Sequence, residues 1–408
     1  MLAGEQGPAI QKAMEIVVAL GKIYGATKLV PVTSVQVAGV SYKNLGQAGL
    51  DFLREWAEQG AEVRVPTTLN PAGMDLRAWR ELGIPETFAR QQEAVIEVYR
   101  AMGISPTCSC TPYLVGNVPG FGEHVAWAES SAVSFANSML GARTNREGGP
   151  SALAAALTGR TAAYGLHLDE NRRARYLVDV RCPLRSEADF GALGYLIGQK
   201  VRNAVPYLRL PTLPPFHPSN LPPFHPSNLP LKTLGAAMAA SGAVALYHVE
   251  GVTPEARRAN MLAPDAERLI IEDLFPAYAA LNAPVEQIDL VSIGCPHASL
   301  EEIAEIARAV EGKRLQAMLW ITTARQIKEK AAEAGYMTII EAAGGRLVAD
   351  ACLVVAPMND LGFRTLATNS AKMAFYAPSH SGLQVRFGPL EQCLEAALTG
   401  RMRLFENR

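Results

Sequence analysis

Between Thr107 and Arg146 the chain brings together Cys108 and Cys110, glycines around Pro119, the run Glu129-Ser130-Ser131, and two arginines, Arg143 and Arg146. Such residues bury poorly and hydrogen-bond well, so the stretch reads as the wall of a polar site. Ser130 and Ser131 fall in the first turn of an expected helix, where free N–H groups and hydroxyls bind a carboxylate or phosphate. Simple N-capping explains the same residues. Glu129 suits a general base, or an acidic partner of the helix dipole. Arg143 and Arg146 flank Thr144 and Asn145 ahead of Gly148 and Gly149, which fits an anion clamp as well as a charged surface. Toward the C-terminus, Lys372, Ser379, His380 and Ser381 precede Gly382, and a glycine-ended Ser-His-Ser turn can present backbone donors to an anion.

Six cysteines are scattered through the chain, which argues for reduced thiols rather than a disulfide framework. Cys110, Cys295 and Cys352 lack the close CxxC spacing of a strong metal motif. Each sits near Pro, Gly or Asp at a turn or strand position, where three thiolates can converge on one iron or iron–sulfur centre. Three ordinary buried cysteines remain the alternative, and Cys108, Cys182 and Cys393 read as core residues. No GxSxG elbow, HExxH, Walker A or GxGxxG pattern stands in its required context. Hydrolase, zincin, nucleotidase and dinucleotide-enzyme readings lose ground accordingly.

These side chains need elements to hold them. The opening segment has near-helical apolar spacing and stops at Gly25. A strand follows at Leu29 to Val32, then a small-residue loop with Gly39, Val40 and Ser41. A second helix precedes a second strand, which ends in the turn Thr67-Thr68-Leu69-Asn70-Pro71. YLVDVRC reads as a strand containing Cys182, and Ala188 to Lys200 as a glycine-punctuated helix. Further on come a strand at Ala243 to Val249, a helix at Thr253-Pro254, and a strand to Ile293. The Gly-Cys-Pro-His turn then leads into a helix through a capping box of Ser299 and Glu302. A last strand is expected to carry Cys352. Alternating elements of this kind predict an α/β fold with parallel sheet and right-handed crossovers.

At 408 residues, 49% hydrophobic and 19% charged, the chain has the balance of a compact α/β enzyme with more than one subdomain. Its 38 basic and 39 acidic residues leave a net charge of −1, so neither nucleic acid nor an anionic membrane is an expected partner. No secretory segment or membrane-spanning run is apparent, so a soluble, cytoplasmic protein is expected. The octapeptide LPPFHPSN at Leu213 to Asn220 repeats at Leu221 to Asn228. It reads as an extended proline-rich surface insertion. His217 and His225 within it are possible metal ligands, or simply part of a tolerated duplication.

The long segment CTPYLVGNVPGFGEHVAWAESSAVSFANSMLGARTNREGGPSALAAALTGRT, with PVTSVQVAGVSYKNLG, SIGCPH and TNSAKMAFYAP, resembles the large subunit of aconitase X enzymes over nearly the whole chain. The resemblance implies an aconitase-like α/β fold of several parallel-sheet subdomains around a central iron–sulfur site. It makes 1–408 one catalytic region, with approximate halves 1–210 and 231–408 about the duplicated loop 211–230. It implies a hydro-lyase whose centre is held by Cys110, Cys295 and Cys352, four-iron four-sulfur by preference, with two-iron or mononuclear iron as alternatives. Gly39, Val40, Ser41, Asn70, Ser130, Ser131, Ser379 and His380 become substrate contacts by motif matching, joined by Arg143, Arg146 and Lys372. One branch of the family acts on mevalonate 5-phosphate in an archaeal-type isoprenoid route, the other on cis-3-hydroxy-L-proline. The wording GARTNREGG favours the phosphorylated hydroxy acid, which Asn145 and Arg146 would also suit. A non-catalytic scaffold paralogue is the remaining alternative. The swivelling domain that presents a catalytic serine is expected on a small partner subunit, leaving Glu129 as the candidate base on this chain.

Overall fold

The computed structural model describes residues 1–210 and 229–404. The two LPPFHPSN copies, with His217 and His225, lie outside the described residues.

The N-terminal part is built on three short parallel strands in the order Thr67–Leu69, Val35–Val37, Ala126–Trp127. All eight residues are buried, as expected for parallel strands covered on both faces. The covering helices are Pro8–Ile23, Tyr42–Glu58, Glu86–Ala101 and Gly149–Thr158. The last is Ala-rich and buried from Ala152 to Thr158, so its small side chains let it sit inside the core beside Trp56, Leu50 and Leu53. Isolated parallel bridges from Thr68 to Ser105 and from Trp127 to Arg146 flank the sheet. The strands therefore deliver their following loops to one edge: residues 38–41, 70–75 and 128–131.

The C-terminal part is a five-stranded, wholly parallel sheet in the order Arg346–Ala349, Met318–Thr323, Leu290–Ala298, Thr365–Thr368, Gln384–Phe387. Its expected parallel character is observed. The capping box forms as well: Ser299 N–H donates to Glu302 Oε2 at 2.9 Å, and Glu302 N–H to Ser299 Oγ at 3.3 Å. Between these parts lies a third parallel sheet, His248–Val249, Pro206–Arg209, Ala174–Val180, Leu262–Ile271. Helices Glu187–Val201 and Leu229–Gly242 pack against each other beside it. A Cβ on Gly242 would fall 2.1 Å from the Gly198 carbonyl oxygen, and one on Gly194 2.5 Å from that of Leu234. The glycine punctuation of this helix is thus what allows two backbones to touch.

Several local expectations are corrected. Only His248–Val249 of the expected strand at 243–249 is strand. The preceding helix runs to Gly242, Ala243 takes a φ of 59°, and Tyr247 N–H bonds the Ser138 hydroxyl at 2.9 Å rather than a neighbouring strand. Thr67, Thr68 and Leu69 are strand, and the turn begins at Asn70. Cys352 is not on a strand: the strand ends at Ala349, Asp350 turns the chain with a φ of 62°, and Cys352 caps a short 3-10 helix. Leu229 and Pro230 belong to a helix rather than to a loop. Among the described residues, no helix is long and apolar enough to cross a membrane.

Candidate functional site

In parallel α/β architecture, ligands bind beyond the carboxyl ends of the strands. Here two such edges face each other, and the cavity between them, about 220 Å³, is lined from both sides. The N-terminal sheet contributes Gly39, Val40 and Ser41 after its central strand, Asn70 after one neighbour, and Glu129 and Ser130 after the other. Cys110 and Arg146 come from the flanking bridged segments. The C-terminal sheet contributes Cys295 from its central strand, Cys352 beyond an edge strand, and Lys372 from helix Ala371–Ser381. Residues more than two hundred positions apart in sequence meet because both sheets present the same polarity.

Backbone bonds fix these loops. Asn70 N–H donates to Val37 O at 2.9 Å and Ser109 N–H to Leu69 O at 3.0 Å. The buried Gln36 amide donates to Ser109 O at 2.8 Å, placing Cys110 beside the end of the Asn70 strand. Across the cavity, Ala72 N–H bonds Asp350 O at 2.8 Å and Cys352 N–H bonds Ala72 O at 3.2 Å. Ser41 Oγ donates to Val355 O at 2.7 Å. The two halves of the cavity wall are therefore sewn together through main chain.

At the cavity floor, Glu129 caps helix Ser130–Phe135. Its carboxylate accepts from Asn70 Nδ2 at 2.8 Å, from the Ser131 hydroxyl at 3.0 Å and from Lys372 Nζ. Lys372 also reaches Ser130 Oγ at 3.2 Å and Ser131 Oγ at 3.3 Å. Burial would raise the Glu129 carboxyl, but Lys372 and these hydrogen bonds outweigh it and bring it down to about 2. Burial likewise works against the Lys372 charge, yet Glu129, then Cys295 and Cys110, hold it above the usual lysine range. Burial raises all three thiols, Cys352 to about 12, while Lys372 opposes the rise at each. His297, also buried in the lining, is pushed down to about 4 by that burial.

Not every expected residue reaches the cavity. Ser131 stands behind it, bonded to Glu129. Arg143 lies outside the lining because its guanidinium is committed to Asp169 and to the His167 carbonyl. Asn145 is taken up structurally, its amide bonding Tyr164 O and Leu166 N–H. Ser379 and His380 are exposed in the last turn of helix Ala371–Ser381, whose first turn carries Lys372. Eight residues of helix put His380 about 12 Å from Lys372 along the axis, and a helix C-terminus offers carbonyls rather than donors to an anion. Arg146 is exposed at the lining and, among the described residues, makes no side-chain hydrogen bond or ion pair. His297 was missed; its only signal was the SIGCPH turn itself.

Among the described residues, no three His, Cys, Asp or Glu side chains lie close enough together to hold a single metal ion. Cys110, Cys295 and Cys352 all line the one cavity, and with the neighbouring Glu129 carboxylate paired to Lys372 these thiols are the side chains that could hold an iron–sulfur group there.

Comparison with known proteins agrees with this architecture. Models of the aconitase X first, second and third domains match residues 1–170, 174–274 and 288–399. The chain is 49% identical to the phosphomevalonate dehydratase large subunit of Methanocaldococcus jannaschii, covering 97% of each chain. It is 52% identical to that of Methanothermobacter thermautotrophicus, covering 94% of this chain and 93% of the relative. It is 40% identical to a cis-3-hydroxy-L-proline dehydratase of Pseudomonas aeruginosa, covering 98% of this chain but 69% of that protein. The crystal structure of Thermococcus kodakaraensis aconitase X in its holo-form superposes with a TM-score of 0.87 at 49% identity, covering 97% of each chain. With its three segments matched in order and its whole fold shared at this level of identity, the chain belongs to the aconitase X family.

Proposed function

We propose that this chain is the large, catalytic subunit of a phosphomevalonate dehydratase, an iron–sulfur hydro-lyase that removes water from mevalonate 5-phosphate. The observation that carries the reading is the convergence of Cys110, Cys295 and Cys352 with Lys372, Asn70 and Arg146 on one cavity, in a chain whose archaeal relatives bear that name. The three cysteines would hold the group, four-iron four-sulfur in this reading, and when bound it supplies a Lewis acid for the hydroxyl that leaves.

The chain's own residues divide the remaining work. Asn70 gives its amide N–H to Glu129, and its buried Oδ1 has no partner among the described residues. An unmet buried acceptor is costly, and a substrate hydroxyl would satisfy it. Arg146, whose guanidinium no described residue pairs, suits the phosphate, which it can grip in bidentate fashion. A zwitterionic hydroxyproline offers its carboxylate to the same guanidinium but has no second anionic group, whereas mevalonate 5-phosphate carries a phosphate besides its carboxylate. Lys372 keeps its charge and holds Glu129 ionised. In that state Glu129 is a weak base, so proton removal is assigned to a residue of a small partner subunit, in keeping with relatives named as large subunits.

The test is water loss, followed by mass spectrometry, from each substrate offered to the iron-loaded chain with and without the small subunit. Turnover of mevalonate 5-phosphate only when the subunit is present is the expected result. Turnover of cis-3-hydroxy-L-proline instead would replace the substrate, and full activity of the isolated chain would remove the need for a partner's base.

A further inference from the structure

The three cysteines belong to segments that pairwise share no sequence neighbourhood, and one residue bonds into all of them. His297 follows Cys295 by two positions. Its backbone N–H donates to Cys110 Sγ at 3.1 Å. Its ring Nε2 lies 2.9 Å from Ala351 O, the carbonyl next to Cys352, and its Nδ1 lies 3.3 Å from the hydroxyl of Ser109, the neighbour of Cys110. A carbonyl only accepts, so Nε2 carries the proton and Nδ1 accepts from Ser109. The residue is 1% exposed. Its own carbonyl receives Lys232 Nζ at 3.5 Å, and Lys232 is paired with Glu302 at 2.8 Å, the same glutamate that closes the capping box after the turn. Every polar atom of His297 is thus used: two bonds end on or beside Cys110, one beside Cys352, and one on Lys232 of helix Leu229–Gly242.

We infer that His297 is the positioning residue that sets the mutual spacing of the three thiols, bracing the Cys110 and Cys352 segments against the strand Leu290–Ala298 that carries Cys295 before any cofactor arrives. The inference rests on the reading of those thiols as ligands, and it adds that the spacing is built by the protein. Outer-shell partners that orient ligands typically change affinity or activity by about 10–100-fold when removed. His297→Ala removes both ring bonds and keeps the backbone N–H on Cys110. His297→Gln can restore a donor near the Nε2 position.

The experiment uses the metal-free chain. Alkylation by iodoacetamide at fixed pH is followed cysteine by cysteine with mass spectrometry, beside iron content after anaerobic reconstitution. Expected in His297→Ala is faster alkylation of Cys110 and Cys352, with His297→Gln in between, and iron bound about tenfold more weakly. Cys393, buried in the distant helix Leu390–Thr399, should be unaffected. Unchanged rates at Cys110 and Cys352 would overturn the proposal, as would an equal rise at Cys393, which reports general unfolding. If the wild-type chain holds no iron while thiol reactivity still depends on His297, the positioning role stands and the iron–sulfur reading falls.

Discussion

At the scale of single residues, the site turns on which charged groups are already spoken for. Arg143 and Arg146 are indistinguishable in the sequence, three positions apart. The structure separates them because Asp169 claims the first and no described residue claims the second. Arg146→Ala should therefore raise KM for the phosphorylated substrate by at least about tenfold, since even one charge-assisted hydrogen bond of a bidentate grip carries that weight, with kcat nearly unchanged. Steady-state kinetics checks this, and a loss confined to kcat would place Arg146 elsewhere in the mechanism. Lys372 and Glu129 form the opposite case, a buried pair in which neither member is free. Lys372→Met should destabilise the chain by about 3–5 kcal/mol because it strands a buried carboxylate, whereas Lys372→Met combined with Glu129→Gln should cost less. Chemical denaturation of the two variants decides. Glu129 and its serines were legible in the sequence as a capped helix start. The low basicity of Glu129 was not, since its cause lies 243 residues away.

At the scale of elements, strand order carried most of the information that spacing lacked. Alternating helices and strands were readable, and so was the capping box after Cys295, because caps are local chemistry. Strand ends were harder to read, since tertiary bonds decide where a ladder stops: the expected strand through Cys352 is cut short where Asp350 is held by Arg325 and its backbone bonds Ala72. That corner is stapled by Asp75, fully buried, which accepts from Lys328 Nζ at 3.0 Å, from Ala349 N–H at 2.9 Å and from Arg325 at 2.5 Å. Burial would raise the Asp75 carboxyl, but Lys328 and Arg325 outweigh it and bring it from 3.8 to about 2. A depressed folded-state value means that the stabilisation is complete above about pH 3.8 and is lost as pH falls toward about 2. Asp75→Asn should cost about 3 kcal/mol at neutral pH, and its stability should fall less steeply than the wild type's through that acid window. Parallel pH profiles of the denaturation midpoint would contradict this role.

At the scale of the whole molecule, two parallel sheets turn the same edge toward one cavity, and this is what makes a site of residues scattered from Gly39 to Lys372. The fold class was legible because alternation of elements implies parallel sheet. The facing of the two sheets was not, because nothing local encodes it; motif resemblance supplied the convergence of the cysteines in its place. Ser379 and His380 read as a turn, but the helix that carries Lys372 into the cavity continues through Pro378, so both fall in its exposed last turn outside the lining, where the His380 carbonyl accepts from Lys43 Nζ at 3.1 Å. The most direct measurement is iron and labile sulfide per chain after anaerobic reconstitution, for the wild type and for Cys110→Ser, Cys295→Ser and Cys352→Ser. Iron and sulfide bound by the wild type and sharply reduced in each single variant is the predicted result. A wild-type chain that binds none, or variants that bind as much as it does, would make the three thiols ordinary cavity residues and contradict the hydro-lyase reading.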